Sequence, residues 1–173
     1  MKQYKQKNKY FSFDTYMAMI KNSVGSRMFR NFYMESDGVK KDILKNGDLS
    51  CAFFVSNILY IFKLINSSHC TVDGTIRDLE KSSWRKIKKP KIGSVLVWEE
   101  KMQGKNKESH RHIGFYIGAN KDSPYRPMAI SNSSKKRTPV IHHWTFGAQK
   151  SKTYRKIERV YWHKGLGEIK SVK

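Results

Sequence analysis

The 173 residues fit one compact domain and leave little room for two, and a hydrophobic fraction of 38% with 13% aromatics excludes a chain too polar to fold. A formal charge of +21, carried by 26 Lys and 9 Arg, draws anions such as nucleic acid, acidic membranes or anionic wall polymers, although lysine-rich coding bias gives the same excess. Two cysteines without a closely spaced pair exclude zinc-ribbon and thioredoxin motifs, and no apolar run approaches the ~20 residues of a membrane span.

Met1–Tyr10 reads as a loose basic arm ahead of a single domain over 1–173. Asp14 is placed to cap a helix running to about Asn22, with Tyr16, Met17 and Ile20 on one face. Val24–Gly47 reads as irregular, punctuated by Gly25, Gly38 and Gly47. The most apolar segment, CAFFVSNILYIFKLI from Cys51 to Ile65, predicts a core helix capped by Asp48 or Ser50. Thr75–Lys81 predicts a short helix. Strands are expected at Ser94–Glu99, His112–Gly118, Met128–Ser131, Pro139–Thr145 and Lys156–Trp162, with a lysine-rich loop at Glu100–Arg111. Helices first and strands afterwards predict an α+β fold with an antiparallel sheet. The segment Phe11–Ile20 is interrupted by Asp14 and reads poorly as a signal peptide, so the chain as given is expected in the cytoplasm.

Cys51 falls at the first turn of the central helix, where free N–H groups and the helix dipole favour a thiolate and an adjacent oxyanion. His112 opens a strand, and a thiol at a helix start facing a histidine at a strand start is the arrangement of a nucleophile–base pair. His110, two residues earlier, is the rival for the base role. No metal or cofactor is expected.

Three blocks of the chain resemble NlpC-type cysteine peptidases, papain-like enzymes that cut peptidoglycan stem peptides. Cys51-Ala-Phe-Phe-Val-Ser56 is similar to the C-S-G-F-V-S helix start of that family. Pro90–Trp98 is similar to its P-G-D-L-V-F-W strand, and His112-Ile-Gly-Phe-Tyr-Ile-Gly118 to its H-V-G-I-Y-I-G strand. The blocks stand in the family's order and cover about 48–134. The resemblance implies a papain-like α+β domain in which a Cys-bearing helix packs on an antiparallel sheet of about five to six strands. It implies Cys51 as nucleophile, His112 as base, and Ser131 where the family carries a third polar residue that orients the histidine. Ser131 is a weak orienter, and Asn132, though chemically better suited, falls on the other face of a regular strand. His142 and His143 on the following strand are further candidates for that role. Tyr33, Asp48 and Ser50 are expected to line the substrate site. The chain departs from the family in having Ser50 rather than Asp before the nucleophile, and Ala52-Phe53 in place of Ser-Gly.

The expected function is hydrolysis of γ-D-glutamyl-diamino acid amide bonds in peptidoglycan peptides, a thiol-protease chemistry. Its partner is a peptidoglycan peptide or another anionic polymer, and action at the wall requires an export route other than a signal peptide. The alternative is a non-catalytic binder of polyanions or, without sequence preference, of nucleic acid. In that reading Trp84 among the basic residues of Lys81–Lys91 supplies stacking.

Overall fold

A computed structural model describes residues 12–103, 108–120 and 123–166; the basic arm expected at Met1–Tyr10 lies outside them. The chain is α+β. Helix α1 (Ser12–Asn22) is followed by a hairpin of β1 (Tyr33–Ser36) and β2 (Val39–Asp42), then α2 (Cys51–Ile61) and α3 (Val72–Lys81). Strands β3 (Arg85–Lys86), β4 (Val95–Gln103), β5 (Glu108–Asn120), β6 (Ser123–Ser133), β7 (Thr138–His143) and β8 (Ile157–Trp162) complete the order, with a 3-10 turn at Lys164–Leu166. The six later strands form one antiparallel sheet in the order β3-β8-β4-β5-β6-β7.

Strand alternation sorts the central strands into two faces. Val95, Val97, Ile113, Phe115 and Ile130 enter the main core with Phe54, Val55, Ile58 and Leu59 of α2. Phe115 receives Phe54 and Tyr16 edge-on at ring separations of 5.6 and 5.8 Å. Tyr16 also donates its hydroxyl to Gly93 O at 2.9 Å, which ties α1 to the entry of β4. On the other face, Leu96, Trp98, Ala129 and Val160 form a smaller cluster with Trp144 and Phe146. Both faces are covered, so SVLVWE reads as continuous apolar sequence rather than as an alternation.

Several elements differ from expectation. The irregular stretch before α2 contains a hairpin whose residues are nearly all exposed, so no burial pattern marked it. The lysine-rich loop is shorter than expected, since Lys101 pairs with His110 and Gln103 with Glu108 as β4 and β5 run on past the core. Strand β6 starts at Ser123, five residues earlier than expected, and Pro127, which weakens a strand signal, pairs with Ala119 beside a register shift against β5. Helix α3 begins at Val72 rather than Thr75, capped by Thr71, whose side chain accepts from Gly74 N. Ser50 occupies the N-cap position of α2 but makes no capping bond, and its buried hydroxyl has no partner among the described residues. The stacking role expected of Trp84 is corrected: the ring is 3% exposed and donates Nε1–H to Leu64 O at 2.8 Å. It packs in the core and is closed to a nucleic-acid base.

Among the described residues, no helix is long and apolar enough to cross a membrane.

Candidate active site

The loop before α2 is set by two local constraints. Gly47 has φ +91°, and a Cβ there would come within 2.8 Å of Arg137 O, so only glycine fits. Its carbonyl accepts from the buried Asn132 Nδ2 at 2.7 Å. This bond fixes the chain three residues before Ser50 and delivers Cys51 to the first turn of α2.

Cys51 opens into a cavity of about 630 Å³ whose wall includes His110, His112, Ser131, His142, Arg155 and the second cysteine, Cys70. The N–H groups of Ile113 and Ala52 bear on the Cys51 sulfur, and the Arg155 guanidinium adds a positive field. Burial nonetheless outweighs them and pushes the thiol above its ordinary range. The resting thiolate expected from the helix dipole is therefore corrected: at neutral pH Cys51 rests as a thiol. Among the described residues no hydrogen bond joins its sulfur to an imidazole, although Cys51, His110, His112 and His142 line the same cavity.

His112 pairs with Trp98 in register and turns to the face opposite Ile113 and Phe115. Its Nε2 lies 2.8 Å from Ser131 Oγ, and the same hydroxyl lies 2.7 Å from His142 Nε2. Gly114 makes this approach feasible. It stands opposite Ser131, and a Cβ on it would fall 2.6 Å from Ile130 O and 2.7 Å from Ser131 Cβ. His142 Nδ1 lies 2.8 Å from the carbonyl of His143. Phe146 stacks on His142 at 4.0 Å, and Trp98 lies 5.5 Å from the His112 ring and 5.7 Å from that of His142. This apolar slot disfavours charge. Burial, then the field of Arg155 and then His142, hold His112 well below the usual imidazole range, and burial lowers His142 to about 4. Both rings are neutral at pH 7.

Arg155 carries the buried positive charge of the site. It is 4% exposed, donates Nε–H to Glu99 O at 2.8 Å, and donates a second N–H to His110 O. These carbonyls lie beside the register shift between Trp98 and Lys101, so the strand irregularity is what lets the guanidinium reach the cavity. Arg111, nearby, is instead met by carboxylates, with Asp73 at 2.9 Å, Glu158 at 3.4 Å and Glu100 at 3.8 Å.

The remaining expected residues divide. Asp48 lines the cavity, Ser50 is buried and does not line it, and Tyr33 stands 57% exposed on β1 outside the lining, with Lys40 Nζ 4.9 Å from its ring. Asn132 touches the cavity, but its amide is spent on Gly47. His110 lines the wall, whereas His143 lies outside it and bonds Thr145 Oγ1 through Nδ1 at 2.9 Å. Sequence reasoning missed Arg155, which lies 104 positions from Cys51 with no motif around it. It weighed His142, together with His143, for the orienting role. Among the described residues no cluster of three His, Cys, Asp or Glu is placed to hold a metal ion. The chain matches no family model, no curated protein sequence and no solved structure.

Proposed function

We propose that the protein is a cysteine hydrolase on an NlpC-type, papain-like domain, cleaving amide bonds of the γ-D-glutamyl-diamino acid type in peptidoglycan stem peptides. The observation that carries this reading is the convergence of Cys51, His112, Ser131 and Arg155 on one cavity at the head of α2. The order of the three sequence blocks and the charge of +21, suited to a wall rich in carboxylates and phosphates, add support.

In this reading His112, neutral at rest, takes the Cys51 proton as the sulfur attacks the amide carbonyl. The tetrahedral oxyanion is held by N–H groups at the start of α2 and by the field of Arg155. The C–N bond breaks, the leaving amine takes the proton from His112, and a thioester remains. Water, deprotonated by His112, then releases the acid and restores the thiol. Because both partners rest uncharged, attack and proton transfer are coupled, and activity does not require a standing thiolate.

The test is mass spectrometry of muropeptides from several bacterial walls digested with the protein and with Cys51→Ala. The expected result is stem-peptide fragments with the first and none with the second, while both still sediment with the wall. Absence of fragments from folded wild-type protein would overturn the reading and leave a polyanion binder, whose affinity falls steeply with salt.

A further inference from the structure

Ser131 stands between two histidines and has one proton to give. Its Oγ lies 2.8 Å from His112 Nε2 and 2.7 Å from His142 Nε2, so it donates to one ring and accepts from the other. A hydroxyl alone has no preference, which is why serine by itself is a weak orienter of a catalytic imidazole. The choice is made at His142. Its Nδ1 faces the carbonyl of His143 at 2.8 Å, and a carbonyl only accepts, so Nδ1 carries the proton. In a neutral ring Nε2 is then bare and takes the Ser131 hydrogen. Ser131 must accept from His112 Nε2–H, and the lone pair of His112 is left on Nδ1.

We propose that His142 is a positioning residue which, through Ser131, fixes His112 in the Nε2–H tautomer and thereby gives it a basic Nδ1; this rests on His112 being the base of the hydrolase. The surroundings keep the direction from reversing. His142 would have to gain a proton on Nε2 to turn the chain round, and the groups facing it resist that. Phe146 covers one face of the ring and Trp98 lies beside it. His112 comes from β5, His143 from β7, and Arg155 from the segment before β8; the charge of Arg155 opposes protonation of His112, and the neighbouring His143 opposes that of His142. Cys51, from α2, rests as a thiol. The chain His143 O, His142, Ser131, His112 is thus polarised one way, from a backbone carbonyl that cannot change its role.

Ring-nitrogen ¹⁵N spectra at pH 7 read the tautomer directly, without substrate. The unmodified protein is expected to show His112 protonated on Nε2 and His142 on Nδ1. His142→Leu frees the Ser131 hydroxyl to donate to His112, so His112 should shift toward Nδ1–H. His142→Gln, whose amide oxygen still accepts from Ser131, should keep the wild-type pattern. On a cleavable peptide the Leu variant should lose about tenfold or more in kcat, with KM little changed, and the Gln variant should recover most of it. A wild-type His112 protonated on Nδ1, or a Leu variant with the wild-type pattern, overturns the proposal. Should His142→Leu not fold, Ser131→Ala cuts the same link, and an unchanged His112 pattern there overturns it equally. Correct tautomers in a protein that cleaves no wall peptide uphold the relay and sink only the hydrolase reading.

Discussion

The two faces of β5 are built on opposite principles although their residues alternate along one strand. Ile113 and Phe115 enter a dry core with Phe54, Tyr16 and Val97, where shape and apolar area decide everything. His112 and Gly114 turn the other way, to a face where a buried hydroxyl, a buried guanidinium and two half-buried imidazoles have their partners counted one by one. The first face tolerates exchange of one hydrophobe for another of similar volume. The second does not, because each buried polar group left unpaired costs about 1–3 kcal/mol and changes the protonation of its neighbour. A period of two thus lets a single strand carry an apolar packing face with one set of side chains and a polar, hydrogen-bonded face with the other.

Substitutions on the two faces should separate these roles. The largest effect is expected from His112→Ala, which should cut peptide cleavage at least about 1000-fold, as Cys51→Ala does. The double variant should be no worse than either single one; multiplied losses would mean that the two do not act as a unit. His110→Ala, at the cavity wall but outside the relay, should change kcat by less than about threefold, and an equal loss there would move the base role to His110.

On the helix side, Phe115→Ala should destabilise the domain by about 3–5 kcal/mol in urea unfolding. Folded Phe115→Ala at low temperature should still show the His112 tautomer of the wild type; a changed ring spectrum would show that the two faces are coupled.

Acid should weaken the polar face. His142 titrates near 4 in the folded chain against 6.5 for an ordinary histidine, so the unfolded chain binds the proton first on acidification. Stability from the neutral ring is fully present above about pH 6.5 and is lost as pH falls toward about 4, a change of about 3 kcal/mol for this group. His112, shifted in the same direction, adds to it. His142→Leu should flatten that part of the pH–stability curve; a wild-type curve already flat from pH 6.5 to 4 would contradict buried neutral rings. For the same reason the acid limb of kcat/KM should lie below the ordinary imidazole range.

The smallest difference is between the two thiols. Burial raises both, but only Cys51 has backbone N–H groups and Arg155 acting against that rise. Because burial outweighs these groups at Cys51, iodoacetamide should modify Cys51 no more than about threefold faster than Cys70 near neutral pH, read by peptide mass mapping. A far faster reaction at Cys51 would mean a standing thiolate.

Much of this was legible in the sequence because it is local. The 3.6-residue spacing of Tyr16, Met17 and Ile20 predicted the buried face of α1, and all three are buried. The unbroken apolar run after Cys51 predicted α2, and the apolar stretch from His112 to Gly118 predicted a strand within β5. The α+β class followed from the order of helices and strands. Ser131 was reached by matching flanking residues, and its nearness to His112 is a matter of register, with Gly114 opposite it. What the sequence could not decide depends on groups far apart in the chain meeting in a medium of low polarity. Trp84 lies among basic residues in sequence but in the core in space, because its indole N–H finds Leu64 O. Arg155 reaches the cavity only because the β4–β5 register slips beside it. The charge state of Cys51 was misjudged from the helix dipole alone, since desolvation is a property of everything packed around the sulfur. The direction of the His112–Ser131–His142 chain rests on a backbone carbonyl in β7, and no pattern of residue types records where a carbonyl points. Periodicity fixes which side of an element is buried; only tertiary contact sets dielectric, proton position and partner.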